Sequence, residues 1–115
     1  MKKAEIIHSI TQTGVVAVVR AHDQETAARI TEACIKGGIK AIEITFTVPG
    51  AGDMIRKLAE VYSGTDVIIG AGTVLDPETA RTAILAGAGY IVSPCLNIET
   101  VKLCNRYAVP CMPGA

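Results

Sequence analysis

The stretch Ala41-Ile42-Glu43-Ile44-Thr45-Phe46-Thr47 decides the fold of this chain. It is mostly apolar and β-branched, which is typical of a buried strand. Because side chains alternate along a strand, we expect Glu43, Thr45 and Thr47 to point to one face and the intervening apolar residues to the other. A carboxylate flanked by isoleucines is costly to bury, and sequences accept that cost mainly where it has a partner or a chemical task. The alternative is a half-solvated, idle glutamate at a strand end.

The composition limits the class of protein. The chain has 115 residues, of which 50% are hydrophobic, and its formal net charge is zero. These values predict one domain, or part of one, with a packed core, and they argue against disorder. A balanced charge and only 3% aromatic residues provide no basis for a nucleic-acid or membrane-surface partner.

The cysteines show no metal-binding spacing. Only two histidines accompany them, so structural zinc is not expected, and free thiols in a reducing compartment are the better interpretation of Cys34, Cys95, Cys104 and Cys111. No stretch has the pattern of a signal peptide or the roughly 20 apolar residues of a membrane span. We therefore predict a cytoplasmic protein.

Strand patterns recur along the chain at intervals of about 25 residues, each followed by a helix pattern, as in a repeated βα unit. The predicted strands begin near residues 15, 41, 66, 90 and 109, after a short N-terminal helix over 4–12. Good N-cap residues precede three of the intervening helices, at Asp23, Asp76 (followed by Pro77) and Asn97, and Asp53 is the predicted cap of the remaining one.

Two architectures accommodate this order of elements: an open doubly wound sheet and part of a (β/α)8 barrel. Crossover helices make neighbouring strands parallel in both. The segments 37–43 and 86–92 resemble each other, each with a glycine before an apolar strand. Equivalent units recur naturally in a barrel, so the barrel is favoured.

Polar residues collect where the predicted strands end. Arg20 follows strand one, Glu43, Thr45 and Thr47 belong to strand two, Gly70-Ala71-Gly72-Thr73 closes strand three, and Ser93-Pro94 closes strand four. The carboxyl ends of parallel strands form one rim, where α/β active sites lie. We expect a site for a small anionic substrate, with Arg20 holding either a substrate carboxylate or Glu43 in its ionised form, and with Thr73 as a hydrogen-bond donor.

Each of these residues also has a simpler interpretation. Arg20 could be a solvated residue leaving its strand, Gly70 to Gly72 could be a tight turn, and Pro94 could only end a strand. Cys95 is a candidate nucleophile, but neither histidine has a sequence cue as its base. Their coincidence on one rim is the stronger argument for a site.

The segments 15–20, 37–51 (GGIKAIEITFTVPGA), 68–74 (IIGAGTV), 87–94 (GAGYIVSP) and 109–114 (VPCMPG) together closely resemble the 2-keto-3-deoxy-6-phosphogluconate (KDPG) and 4-hydroxy-2-oxoglutarate (KHG) aldolases. The resemblance implies a trimeric (β/α)8 barrel of the α/β class. It also implies a metal-independent class I aldolase that cleaves a 2-keto-4-hydroxy acid into pyruvate and an aldehyde through a Schiff base. Residues 1–115 would then be the N-terminal part of one barrel domain.

The resemblance also implies roles for individual residues. Glu43 would be the general acid/base, and the substrate site would include Arg20, Thr45, Thr47, Gly72, Thr73 and Pro94. Thr73 would bind the pyruvate carboxylate, Arg20 would lie beside the active-site carboxylate, and Pro94 would line the pocket. Many members have Arg where this chain has Thr47, so substrate carboxylate binding is expected to be weaker or differently supplied.

The family's Schiff-base lysine lies on the sixth strand, and no lysine of this chain matches it. We therefore expect the 115-residue chain alone to be inactive and the complete protein to be the aldolase. Five of eight strands would also leave two apolar parallel edges, which normally avoid water. Two alternatives stay open: another phosphate-binding barrel enzyme, of the epimerase or thiamine phosphate synthase type, and a non-catalytic half-barrel.

Overall fold

The computed structural model describes residues 1–115 and alternates helices with strands throughout. The elements in chain order are α1 (Lys3–Thr13), β1 (Val16–Val19), α2 (Gln24–Lys36), β2 (Ala41–Thr45), α3 (Ala51–Val61), β3 (Ile68–Gly72), α4 (Pro77–Ala86), β4 (Ile91–Ser93), α5 (Ile98–Arg106) and β5 (Cys111–Pro113). None of the helices combines the length and the apolar character that a membrane crossing requires.

The five strands form one parallel sheet in the order β1-β2-β3-β4-β5. A doubly wound sheet of the dinucleotide-binding type reverses its strand order part-way, whereas this sheet adds each new strand on the same side as the last. That progression is the one by which a (β/α)8 barrel is built. The predicted α/β class with barrel-type progression is therefore confirmed, and the doubly wound alternative is wrong.

The two faces of the sheet have separate cores. Alternate strand residues, such as Ile42, Ile44 and Ile69, pack with α2 to α5 in the larger core. The opposite face, called the inner face below, carries Glu43 and the smaller cluster of Ile6, Ile68 and Tyr90. Since Ile6 belongs to α1, the N-terminal helix covers the amino end of the inner face while the crossover helices cover the outer one.

The helix ends follow local sequence signals at most positions. Asp23, Asp76 and Asn97 each accept a hydrogen bond from the backbone N–H three residues later, as the sequence predicted. The predicted cap at Asp53 is wrong: α3 begins at Ala51 with Gly50 as its N-cap residue, so Asp53 lies in the first turn. There its carboxylate still favours the helix through the dipole.

We expect Asp76→Ala to lower the free energy of unfolding by about 1 kcal/mol, because the Thr79 N–H, 2.7 Å from Asp76 Oδ1, would lose its acceptor. That same bond is the main cause that lowers the pKa of Asp76. The stabilisation is therefore present above the pKa of the unfolded chain and is lost as pH falls through the folded-state pKa. Denaturant unfolding at several pH values measures it. Asp76→Asn is the control, since it keeps a capping oxygen, and an equal loss in both variants would contradict the capping account.

Some boundaries differ from the sequence prediction by one or two residues. Phe46 lies beyond the end of β2, although its N–H still donates to Gly72 O at 3.0 Å. On α2, Thr31 is fully buried and its hydroxyl donates to Ala27 O, whereas the apolar Ile30 is 38% exposed. The face of α2 that packs on the sheet is therefore rotated slightly from the face that the apolar residues alone would define.

Candidate active site

Glu43 is the buried charged residue of this chain. It lies in the middle of β2, on the inner face, and is 7% exposed. Burial disfavours the carboxylate and is the main cause that raises the pKa of Glu43, while the positive charge of Arg20 partly opposes the rise. A buried carboxyl with a raised pKa keeps its proton to a higher pH than a solvated one, which suits a group that takes up and releases a proton during a reaction.

Two glycines of β3 leave space for side chains from the neighbouring chain segments: Gly72 for Glu43 and Gly70 for Tyr90. A Cβ on Gly72 would lie 2.5 Å from Glu43 Cδ and 2.7 Å from Glu43 Cγ. A Cβ on Gly70 would lie 2.5 Å from Cε1 of Tyr90. The Gly70-Ala71-Gly72 segment is therefore a strand and not a tight turn. Because Gly70 and Gly72 have no side chains, Tyr90 and Glu43 can pack directly on the backbone of this strand, which is called the glycine floor below.

Arg20 follows β1 at the same rim but is exposed and forms no ion pair with Glu43 within 4.0 Å. Its effect on Glu43 is through space, as a positive charge. The guanidinium is thus free to bind an anion that arrives at the rim.

The hydroxyls of Thr45 and Thr47 contact each other, with 2.5 Å between the two Oγ1 atoms. Thr45 is fully buried at the end of β2, and Thr47 is exposed in the turn that follows. Thr73 comes directly after Gly72, with a positive φ of 54°. That conformation is rare for a β-branched residue and is of the strained kind that clusters at functional sites.

The end of β4 contributes a second wall to the rim. Ser93 is buried and donates a hydrogen bond to Cys95 O at 3.1 Å, while Pro94 and Cys95 are exposed. Gly114, after β5, donates from its N–H to Ser93 O at 2.9 Å. A Cβ on Gly114 would lie 2.7 Å from the carbonyl carbon of Pro94, so this glycine allows the two chain segments to run close together.

The predicted site residues thus lie on consecutive strands, with Glu43 within β2 and the others at or just after the carboxyl ends. Glu43 and Thr45 pair in register with Gly70 and Gly72 of β3, and Thr73 is the first residue after that strand. Three of the five cavities of the chain, of about 460, 390 and 280 Å³, lie elsewhere, and none of these three is lined by Glu43. Because the sheet is open, with β1 and β5 as its edges, the inner face has no opposite wall to enclose a cavity.

The comparison with a protein-family model decides the family. The model for KDPG and KHG aldolases matches residues 6–115. The chain belongs to the KDPG/KHG aldolase family. It is 37% identical over 109 residues to the 2-dehydro-3-deoxy-phosphogluconate aldolase of Treponema pallidum, which covers 95% of this chain and 51% of that protein. The chain spans about half the length of the curated relatives that it matches.

Solved KDPG aldolase structures share the fold. The enzyme of Zymomonas mobilis ZM4, solved with 3-phosphoglycerate, matches with a TM-score of 0.83 and 28% identity over 96% of this chain and 51% of that chain. The enzyme of Legionella pneumophila, in which pyruvate was captured as a covalent carbinolamine, matches with a TM-score of 0.79 and 29% identity over 87% and 48% of the two chains. This structure therefore corresponds to about half of a KDPG aldolase chain.

The lysines of this KDPG aldolase family member lie away from Glu43. Lys40 pairs with Asp66, Lys36 with Glu32 at 2.9 Å and Lys102 with Glu99 at 3.4 Å. The remaining ones, Lys2, Lys3 and Lys57, belong to the N-terminal segment and to α3. No lysine is on the inner face, and no group of three His, Cys, Asp or Glu side chains comes together as a metal site.

Sequence reasoning missed one residue beside Glu43. Tyr90 is fully buried, and its ring lies over Gly70, the residue of β3 that pairs with Glu43. In the sequence it reads as the first apolar residue of a strand. The available signal was the pairing of a large side chain with a glycine on the neighbouring strand, which becomes readable only once the register is known.

Proposed function

We propose that the complete protein is a class I aldolase, a carbon–carbon lyase of carbohydrate metabolism. It cleaves a 2-keto-4-hydroxy acid, KDPG or KHG, into pyruvate and an aldehyde. The observation that carries the proposal is the buried Glu43 carboxyl with its raised pKa on the strand rim, in a chain that belongs to this family. The carbinolamine formed by pyruvate on the Legionella pneumophila relative supports the same chemistry.

In the proposed mechanism, a lysine amine beyond residue 115 condenses with the C2 ketone and releases water. Glu43, directly or through a water that it holds, removes the proton of the C4 hydroxyl. The C3–C4 bond then breaks, the aldehyde leaves, and the bonding electrons move through the iminium to the lysine nitrogen. Protonation of the resulting enamine at C3 and hydrolysis give pyruvate and regenerate the lysine.

Substrate binding is assigned to the other rim residues. Thr73 and the adjoining Gly72 would hold the pyruvate carboxylate, and the Arg20 guanidinium would supply positive charge to the anionic substrate. Thr45 and Thr47 would contribute hydroxyls, and Pro94 would form an apolar wall. We propose a homotrimer in the cytoplasm, and size-exclusion chromatography with light scattering tests the trimer.

Borohydride trapping tests the proposed reaction. We expect the complete protein, incubated with pyruvate and then reduced, to gain the mass of one reduced pyruvate adduct per chain. The 115-residue chain should gain none, because none of its lysines lies on the inner face beside Glu43, where the amine would have to meet the substrate. Intact-protein mass spectrometry gives the result. A complete protein that forms no adduct would exclude the aldolase and favour another barrel enzyme or a non-catalytic unit.

A further inference from the structure

Tyr90 lies in one cross-strand row with Glu43. Glu43 pairs with Gly70, and because Ala71 pairs with Ile91, the preceding residues Gly70 and Tyr90 are also neighbours. The Tyr90 ring atoms closest to a Cβ on Gly70 are Cζ, which carries the hydroxyl, and the two Cε atoms beside it. Tyr90 directly precedes β4, and the far end of its side chain lies over β3, so the hydroxyl points toward β2, which carries Glu43.

The hydroxyl of Tyr90 is buried without a hydrogen-bond partner. The residue is 0% exposed, and its Oη is one of two such side-chain oxygens, the other being Thr100 Oγ1 on α5. An unpaired buried hydroxyl costs free energy that a phenylalanine would avoid. Hydroxyls in such positions normally have a partner, which is often an ordered water.

Glu43 is the charged group that acts on this hydroxyl, and no direct hydrogen bond joins the two. The charged or titratable groups around Glu43 are Arg20, which follows β1, and Tyr90, which precedes β4, because the facing residues of β3 are glycines. Burial, and after it the Glu43 charge, raises the pKa of Tyr90, so the phenol keeps its proton to a higher pH than a solvated tyrosine and remains a donor.

We propose that Tyr90 is a positioning residue for Glu43, its hydroxyl donating a hydrogen bond through one buried water to the Glu43 carboxylate. This inference rests on the proposed role of Glu43 in proton transfer. The donor holds the carboxyl on its glycine floor and stabilises the ionised form, which burial disfavours. Tyr90 contacts no reacting atom and acts through Glu43.

The test is Tyr90→Phe, which keeps the ring against Gly70 and removes only the hydroxyl. Carbon-13 NMR of labelled glutamate should show the pKa of Glu43 rising by about half a unit or more, because a donor to the ionised form has been lost. The acid limb of kcat/KM against pH should move upward by the same amount. Tyr107→Phe is the matched control: its hydroxyl accepts a hydrogen bond from Arg81 Nε at 3.1 Å, and its loss should leave Glu43 unchanged.

A second measurement needs no variant. In the unaltered protein, the ring Cζ signal of Tyr90 should titrate with the same midpoint as Glu43. An unchanged Glu43 pKa in Tyr90→Phe, or a Tyr90 signal indifferent to Glu43, overturns the inference whatever the activity. If Glu43 responds as expected while the protein forms no pyruvate adduct, the positioning contact stands and the proposed function fails.

Discussion

Glu43→Gln in the complete protein is expected to lower kcat by about 100-fold or more, the usual contribution of a general acid/base. Glutamine is nearly isosteric and fits the same floor above Gly72, but its amide does not take up a proton. The loss should therefore fall on bond cleavage and on protonation of the enamine. Steady-state kinetics of the cleavage reaction measure it.

The pyruvate adduct should still form in this variant, because condensation with the lysine needs no C4 proton transfer. Borohydride trapping separates the two steps, since an intact adduct with slow turnover assigns Glu43 to proton transfer. Glu60→Gln is the matched control: it makes the same carboxylate-to-amide change on an exposed position of α3, and its turnover should equal that of the unaltered protein. Unchanged turnover in Glu43→Gln would remove Glu43 from the mechanism.

Gly70→Ala is expected to lower the free energy of unfolding by about 1–3 kcal/mol, the usual cost of overpacking a filled core. The added Cβ would lie 2.5 Å from Tyr90 Cε1, well inside van der Waals contact. The ring is fully buried between the sheet and α1, so it has no free space in which to move aside. Equilibrium unfolding in urea gives the difference.

Gly52→Ala is the control for the same chemical change. Gly52 lies in α3 with nothing within 4 Å of an added Cβ. Alanine there should stabilise the protein by about 0.4–1 kcal/mol, because it restricts the unfolded chain without a clash. If both variants changed stability in the same direction, the close packing of Tyr90 on Gly70 would be refuted.

Much of the fold could be predicted because it depends on short-range signals. The caps at Asp23, Asp76 and Asn97 are contacts within one helical turn, so residue type and spacing are sufficient. The cap at Asp53 was predicted by the same rule and is wrong. The chain turns directly after β2, where the Val48 N–H donates to Thr45 O, and α3 then begins at Ala51 with Gly50 as its N-cap residue. A glycine N-cap has no side-chain acceptor and is harder to recognise.

Local patterns therefore established the order of helices and strands, the parallel sheet and the rim on which the polar residues lie. Only the tertiary structure decided which residues meet across that sheet. The row of Glu43, Gly70 and Tyr90, the floor that Gly72 provides for a carboxyl, and the through-space effect of Arg20 all depend on strand register. Register is a relation between segments about 25 residues apart, and a slip of one residue would turn every side chain to the other face. No short window of sequence contains that information.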